Sequence, residues 1–258
     1  MMSRTPYIGI TDFFTSEEVT RMFRIVKDRN IRRKLMVGVM MSYKTLHDLP
    51  TKWKNAFPKK ERVADIFYSD EAYNCLHYAD YTIDPQLSNS LALALSYGGI
   101  GIHAVQLDMI WPDPGQVASG VHASRKNLEV ILQLNTDALN EVNNDPDNLA
   151  ARLADYEGVI HRVLLDKSGG KGQGMCAALL EPFLDTLSAK TPWLSLGVAG
   201  GLGPKTMHLL GNLPSFCPNL SIDAQGQLRP SASALDPIDW SMAADYLEQA
   251  LDIFEYVD

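Results

Sequence analysis

The chain has 258 residues, 46% of them hydrophobic, with 18 glycines and 14 prolines, a composition that excludes disordered and fibrous classes. Its 23 Lys+Arg against 31 Asp+Glu leave a net charge of −8, so general affinity for nucleic acid or an anionic membrane has no electrostatic basis, and any bound anion must be held locally. The longest apolar run, Leu35 to Met41, is far short of the roughly 18 residues that span a bilayer, and MMSRTPYIG has no apolar core of signal-peptide length.

Short apolar, β-rich runs recur along the chain and predict strands at Tyr7 to Thr11, Leu35 to Met41, Cys75 to Tyr81, Ala104 to Ile110, Leu128 to Leu134, Val159 to Asp166, Leu194 to Ala199 and Leu220 to Ala224. Helical patterns fall between them: Ser16 to Arg29, with Ser16 as the expected N-cap before Glu17 and Glu18, then Gln86 to Tyr97, Gly115 to Asn127, Asn148 to Tyr156, Met175 to Ala189, Pro204 to Gly211 and Asp239 to Tyr256. Asn140 to Asn148, polar and turn-rich, reads as a surface loop. Residues 45–70 form a longer, irregular excursion, either a surface feature or a lid.

Strands alternating with helices are βαβ units whose parallel strands are buried on both faces, which explains runs such as LMVGVMM. Eight units at this spacing match the size of a (β/α)8 TIM barrel, about 250 residues. The expected fold class is therefore α/β, a single-domain barrel over residues 1–258. A doubly wound open sheet is the runner-up, but it would place a glycine-rich turn after its first strand, whereas here the glycines follow strands six and seven.

Those glycines carry the ligand argument. In such barrels phosphate groups bind where the loops after the last strands meet a helix N-terminus. Ser168-Gly169-Gly170-Lys171-Gly172 follows strand six with Lys167, Gly200, Gly201 and Gly203 follow strand seven ahead of Pro204, and Asp223 and Gly226 lie at the end of strand eight. Glycine there lets backbone N–H groups approach an anion closely. The histidines lack metal-ligand spacing, and Cys75, Cys176 and Cys217 form no C-x-x-C, so neither metal, disulfide framework nor cofactor is expected.

Several segments together resemble phosphoribosylanthranilate isomerase, a barrel enzyme of tryptophan biosynthesis that performs an Amadori rearrangement. Gly9-Ile10-Thr11 followed by Ser16-Glu17-Glu18-Val19 is similar to that family's opening Cys-Gly-Ile-Thr and first helix. Val37-Gly38-Val39-Met40-Met41-Ser42 and Ala104-Val105-Gln106-Leu107-Asp108 resemble its second and fourth strands. Val163-Leu164-Leu165-Asp166 with Gly169, Gly170 and Gly172 resembles its Leu-Leu-Asp and Gly-Gly-Thr-Gly segment, and Ala199-Gly200-Gly201-Leu202-Gly203-Pro204 its Ala-Gly-Gly-Leu-Thr-Pro. The resemblance implies isomerase chemistry on a phosphorylated amino-sugar in amino-acid biosynthesis, with Asp166 as general acid; the short apolar runs leave a cytoplasmic setting as the default expectation.

The departures fall on the chemistry. Ile8 stands where the family has its catalytic cysteine, Ser42-Tyr43-Lys44 replaces Ser-Pro-Arg and keeps one cation, Asp108 replaces a histidine, and Ala224-Gln225-Gly226 replaces Ser-Ser-Gly. A replacement base must come from another strand end, where Asp12, Asp108 and Asp223 are the candidates. The expected site thus comprises Asp166, Asp12 and Asp108 as catalytic groups, with Lys44, the glycines and Asp223 around a small phosphorylated metabolite. The alternative is a phosphate-ligand barrel that is non-catalytic or acts as a lyase or synthase.

Overall fold

In a parallel strand successive side chains point to opposite faces, and in this chain both faces are apolar, so each strand can lie between an inner core and a coat of helices. The computed structural model, which describes residues 4–27, 29–82, 84–166 and 174–256, has that arrangement. Its strands are β1 (Tyr7–Thr11), β2 (Lys34–Ser42), β3 (Tyr73–Ala79), β4 (Ala104–Asp108), β5 (Glu129–Asn135), β6 (Arg162–Asp166), β7 (Ser195–Ala199) and β8 (Ser221–Ala224). They pair in parallel in chain order, and β8 closes on β1, with Ile8 opposite Ile222 and Gly9 opposite Asp223. The fold is the expected (β/α)8 barrel.

The helices on its outside are α1 (Ser16–Lys27), α2 (Tyr43–Leu46), α3 (Val63–Ile66), α4 (Leu87–Tyr97), α5 (Pro114–Ala123), α6 (Thr136–Glu141), α7 (Pro146–Leu153), α8 (Ala177–Lys190), α9 (Leu213–Phe216) and α10 (Trp240–Glu255). Residues of one parity, among them Ile8, Ile10, Val37, Leu76 and Val105, pack with helix residues such as Met22, Tyr246 and Phe254 in the outer core. Residues of the other parity, Tyr7, Met36, Tyr73, Cys75, Ala104, Ile131, Leu164 and Ala199, fill the inside. Ile8, at the position where the resembling family has its cysteine, therefore belongs to the outer core and faces away from the barrel interior.

Local chemistry moves several boundaries. Thr15 rather than Ser16 caps α1: Glu18 N donates to Thr15 Oγ1 at 3.3 Å, while Glu18 Oε2 accepts from Thr15 N at 2.8 Å, a capping box displaced by one residue. The polar stretch Asn140 to Asn148 is mostly helical at its two ends. Left-handed Asn143 and Asn144 turn the chain between α6 and α7, and Asp145 caps α7 through Asn148 N at 2.8 Å. The helix expected over Pro204 to Gly211 shortens to one 3₁₀ turn, Met207–Leu210.

The N-terminal end of the barrel is plugged by paired charges. Arg162 Nε lies 2.6 Å from Glu129 Oε2, which also accepts from Tyr73 OH at 2.5 Å, and Arg4 Nε approaches Glu129 Oε1 at 3.4 Å. The Arg162 guanidinium sits 5.6 and 5.2 Å from the centroids of the Tyr7 and Tyr73 rings, themselves stacked at 5.5 Å. Burial pushes the Glu129 carboxyl up, but Arg162 and the two hydrogen bonds outweigh it and hold its pKa below the ordinary value.

Candidate functional site at the barrel mouth

Polar side chains interrupt the inner core near the C-terminal ends of the strands, where barrels keep their chemistry. Counting every second residue upward from the apolar layer reaches Thr11 on β1, His77 on β3, Gln106 and Asp108 on β4, Gln133 and Asn135 on β5, Asp166 on β6 and Asp223 on β8. β1 and β2 make room by carrying glycine. A Cβ on Gly9 would lie 2.5 Å from Asp223 Oδ1, and one on Gly38 would lie 2.7 Å from Thr11 Oγ1.

These groups form a continuous network. Thr11 Oγ1 donates to Asp223, 3.1 Å from each oxygen, and lies 3.4 Å from His77 Nδ1. Gln106 Nε2 reaches both His77 Nδ1, at 3.3 Å, and Gln133 Oε1, at 2.9 Å; Gln133 Nε2 in turn donates to Asp166 Oδ2 at 3.0 Å. Above this layer Tyr81, from the loop after β3, donates its hydroxyl to Asp108 Oδ1 and accepts from Asn135 Nδ2 at 3.1 Å.

The electrostatics are those of acids crowded inside a low-dielectric wall. Burial, with the Asp166 charge adding to it and the Tyr81 hydrogen bond opposing, pushes Asp108 up to about 6. Burial also pushes Asp223 up to about 7, against the Thr11 hydrogen bond and reinforced by Asp166 and Asp12. His77, wholly desolvated, falls to about 3 and is neutral at any working pH. Carboxyl groups whose environments separate their affinities for a proton are the raw material of acid–base catalysis.

The expected site residues divide between this mouth and its rim. Asp108 and Asp166, each partly exposed, reach it from inside the barrel, with Asp223 buried one level below. Asp12 does not join them: its Oδ2 is engaged by Arg229 Nη2 and accepts from Gln225 Nε2 at 3.1 Å, while its backbone adopts φ +89°. Arg229 continues to the carbonyls of Gln225 and Asp236, at 2.7 and 2.6 Å, so Asp12 ties the loop after β8 to the end of β1. Lys44, exposed on α2, lines a cavity of about 590 Å³ that also touches Asp108, Tyr81, Gln225 and Met40. One wall of that cavity is the excursion, through Pro50, Thr51, Lys52, Trp53 and Phe57. Trp53 and Phe57 stack at 5.2 Å, and Lys60 Nζ fastens the segment to Leu46 O at 2.8 Å.

After β7, Gly200 and Gly201 take φ values of +118° and +71°, which only glycine adopts without strain. Gly203 packs on the next loop, where a Cβ would meet Gln227 Cβ at 2.6 Å and Gln227 O at 2.7 Å. Gly226 opens the 3₁₀ turn after β8. Gly169, Gly170 and Gly172, with Lys167 and Lys171, lie outside the described residues. Among the described residues no group of three or more His, Cys, Asp or Glu is gathered as a metal would require.

Sequence reasoning missed Thr11, His77, Gln106, Gln133, Asn135 and Tyr81. The signal was present in the parity: Gln106/Asp108 and Gln133/Asn135 are polar pairs two residues apart at the ends of otherwise apolar strands, a pattern an inward-facing polar layer must leave.

Solved structures with the same architecture put this mouth in context. The catalytic domain of a hyperthermophilic chitinase from Pyrococcus furiosus aligns with 98% of this chain and 97% of its own, at 10% identity and TM-score 0.57. They share the (β/α)8 barrel. A monomeric dihydrodipicolinate synthase variant aligns over 98% and 78% of the two chains at 13% identity and TM-score 0.52. The carboxyl transferase domain of Rhizobium etli pyruvate carboxylase aligns over 98% and 48% at 11% identity and TM-score 0.57. No family model and no curated protein matches the chain. Likeness at such identities is likeness of fold, which hosts many chemistries, so function must be argued from the mouth itself.

Proposed function

We propose that the barrel mouth is the active site of an enzyme that transfers protons to and from a small phosphorylated sugar or amino-sugar, an aldose–ketose rearrangement of the Amadori type implied by the resemblance to phosphoribosylanthranilate isomerase. The observation that carries this reading is the placement of Asp108 and Asp166, both open to the mouth, one with its proton affinity raised and the other accepting a hydrogen bond from Gln133.

Asp108, protonated, gives its proton to the ring oxygen as the C1–O bond opens, and the nitrogen lone pair forms the C1=N iminium. The Asp166 carboxylate then takes the proton from C2; that C–H electron pair becomes the C1=C2 bond, the iminium nitrogen recovers its lone pair, and the enolamine becomes the ketose as its 2-hydroxyl gives up a proton and C1 takes one up. The two roles are reversed relative to the resemblance, because the group with the raised affinity is the better donor near neutral pH. With Ile8 facing the outer core, a side chain at that position does not reach the mouth, and the base comes from another strand end. Asp223, buried below, is held off the substrate by its bond from Thr11. Lys44 supplies a cation at the mouth cavity. The N–H groups of Gly201 and Gly203, which donate to no acceptor among the described residues, together with Gly200 and Gly226 offer the phosphate its place.

Complementation of a tryptophan auxotroph lacking the isomerase tests the reading. Growth should be restored by the wild-type chain and abolished by Asp166→Asn and by Asp108→Asn, each expected to cost about 10²- to 10⁴-fold in kcat as a lost acid or base. Absence of growth with soluble wild-type protein present, together with no turnover of the phosphorylated amino-sugar in vitro, would overturn it.

A further inference from the structure

The hydrogen-bond chain beneath the mouth has a direction, and that direction is set by Asp166. Because Gln133 gives its Nε2 to Asp166, it turns its Oε1 toward Gln106, which must therefore present Nε2. The same Gln106 nitrogen faces His77 Nδ1 at 3.3 Å. An amide nitrogen donates and has no lone pair to offer, so Nδ1 accepts and the imidazole proton sits on Nε2. Thr11, the other neighbour of Nδ1, gives its own hydroxyl proton to Asp223.

Left over are His77 Nε2 and Gln106 Oε1, both buried and without a partner among the described residues. A buried neutral network normally leaves no such atoms. The chain can also run in the opposite sense with the same number of hydrogen bonds, and the same two positions, on Gln106 and His77, are then left over. If Asp166 carries a proton it donates to Gln133 Oε1; Gln133 then gives Nε2 to Gln106 Oε1, and His77 gives Nδ1–H to that same oxygen. Both amides turn over. The imidazole stays neutral, one proton leaving Nε2 and one arriving at Nδ1 by exchange with solvent during local opening of the buried site.

We infer that His77 is a positioning residue for Asp166, exchanging tautomer in step with Gln106 and Gln133 so that this carboxyl has an unbroken hydrogen-bonded chain behind it whether ionised or protonated. The inference deepens the proposed function and rests on its reading of Asp166 as the group that takes up a proton. The desolvation that keeps His77 uncharged suits the role, since an imidazolium would lock Nδ1 as a donor. Among the described residues, the titratable groups facing the two ends of the chain are Asp108, Asp223 and Tyr81 at Asp166, and Asp223 through Thr11 at His77, with Asp12 behind Asp223.

Nitrogen-15 NMR of the histidine side chains in the full chain tests this without needing turnover. Wild-type protein should show His77 protonated on Nε2. Asp166→Ala, which removes the anchor, should convert it to a mixture of tautomers or to the Nδ1–H form, Asp166→Glu should restore Nε2–H, and Gln133→Leu should make the tautomer indifferent to residue 166. With substrate, Gln133→Leu should lower kcat about tenfold, leave KM within about twofold, and move the acid limb of the pH profile up by about one unit. An Nδ1–H tautomer in the wild type, or one unchanged in Asp166→Ala, would overturn the inference. A tautomer that responds as stated in a protein without turnover would overturn the proposed function alone.

Discussion

The two ends of the barrel treat buried charge in opposite ways. At the N-terminal end Glu129 is surrounded by Arg162, Arg4 and the Tyr73 hydroxyl, and Arg162 in turn lies against two aromatic rings. At the C-terminal end Asp108, Asp166 and Asp223 point inward, and the buried guanidinium of Arg229 is committed to Asp12. A buried charge with its partner in place costs far less than one left alone. Acids whose proton affinity is raised by burial and by a neighbouring carboxylate, as at Asp108 and Asp223, cost stability, and are kept where a protein has a use for the proton.

The sharpest way to break that contrast is to leave the matched end unmatched. Glu129→Ala removes the partner of a buried Arg162 and should destabilise the fold by about 3–5 kcal/mol, read as a fall in the midpoint of denaturant unfolding. Its kcat, measured well below the new melting temperature, should stay within about twofold of the wild type. An equal loss of activity would mean that the plug shapes the mouth, and the division of labour between the ends would be wrong.

The same asymmetry sets what could be read in advance. β1, β2 and β7 were legible because parallel buried strands leave predominantly apolar runs, and so was the closed barrel, because strand–helix alternation spaces them so. Asp108 and Asp166 were legible as carboxylates at strand ends. Asp12 was read from the same position, yet its strained backbone turns it toward Arg229, a residue more than two hundred positions away that no local pattern links to it. Gln106 and Gln133 escaped because an isolated glutamine in an apolar strand acquires meaning only when closure brings it beside its neighbours. The excursion could be located but not placed, since its contact with the mouth depends on tertiary packing of Trp53 and Phe57.

A milder intervention works at the other end and has the opposite sign. Asp223 has a folded pKa of about 7, far above the roughly 3.9 of an exposed aspartate. Between those values the folded state binds more protons than the unfolded state, so the stability Asp223 contributes is full below about pH 4 and is lost as pH rises through about 7. Asp223→Asn, which keeps the shape and never charges, should therefore stabilise the protein at pH 8 by on the order of 2–4 kcal/mol and flatten its stability between pH 4 and 7. Thermal melts across that range measure both. A variant that melts lower at pH 8 would show that the charge is compensated after all.

The smallest change concerns how closely the mouth holds its acid in readiness. The Tyr81 hydroxyl donates to Asp108, a bond that favours the ionised carboxylate and so opposes the effect of burial. Tyr81→Phe removes the donor and leaves Asn135 Nδ2, also bonded to Tyr81, without that acceptor. Asp108 should then hold its proton to a higher pH than about 6, because burial and Asp166 still act on it without the opposing bond. With Asp108 as the acid, the descending limb of the rate should move upward by up to about one pH unit. Stability should change by less than about 0.5 kcal/mol, since Tyr81 is 55% exposed and carries little of the core. A limb that moves downward instead would assign it to a group that loses, rather than gains, proton affinity when the hydroxyl goes, and Asp108 would no longer be the acid. If the limb stays fixed while kcat falls, Tyr81 acts on the substrate directly, and the crowded carboxylates of the mouth would have to divide their roles without it.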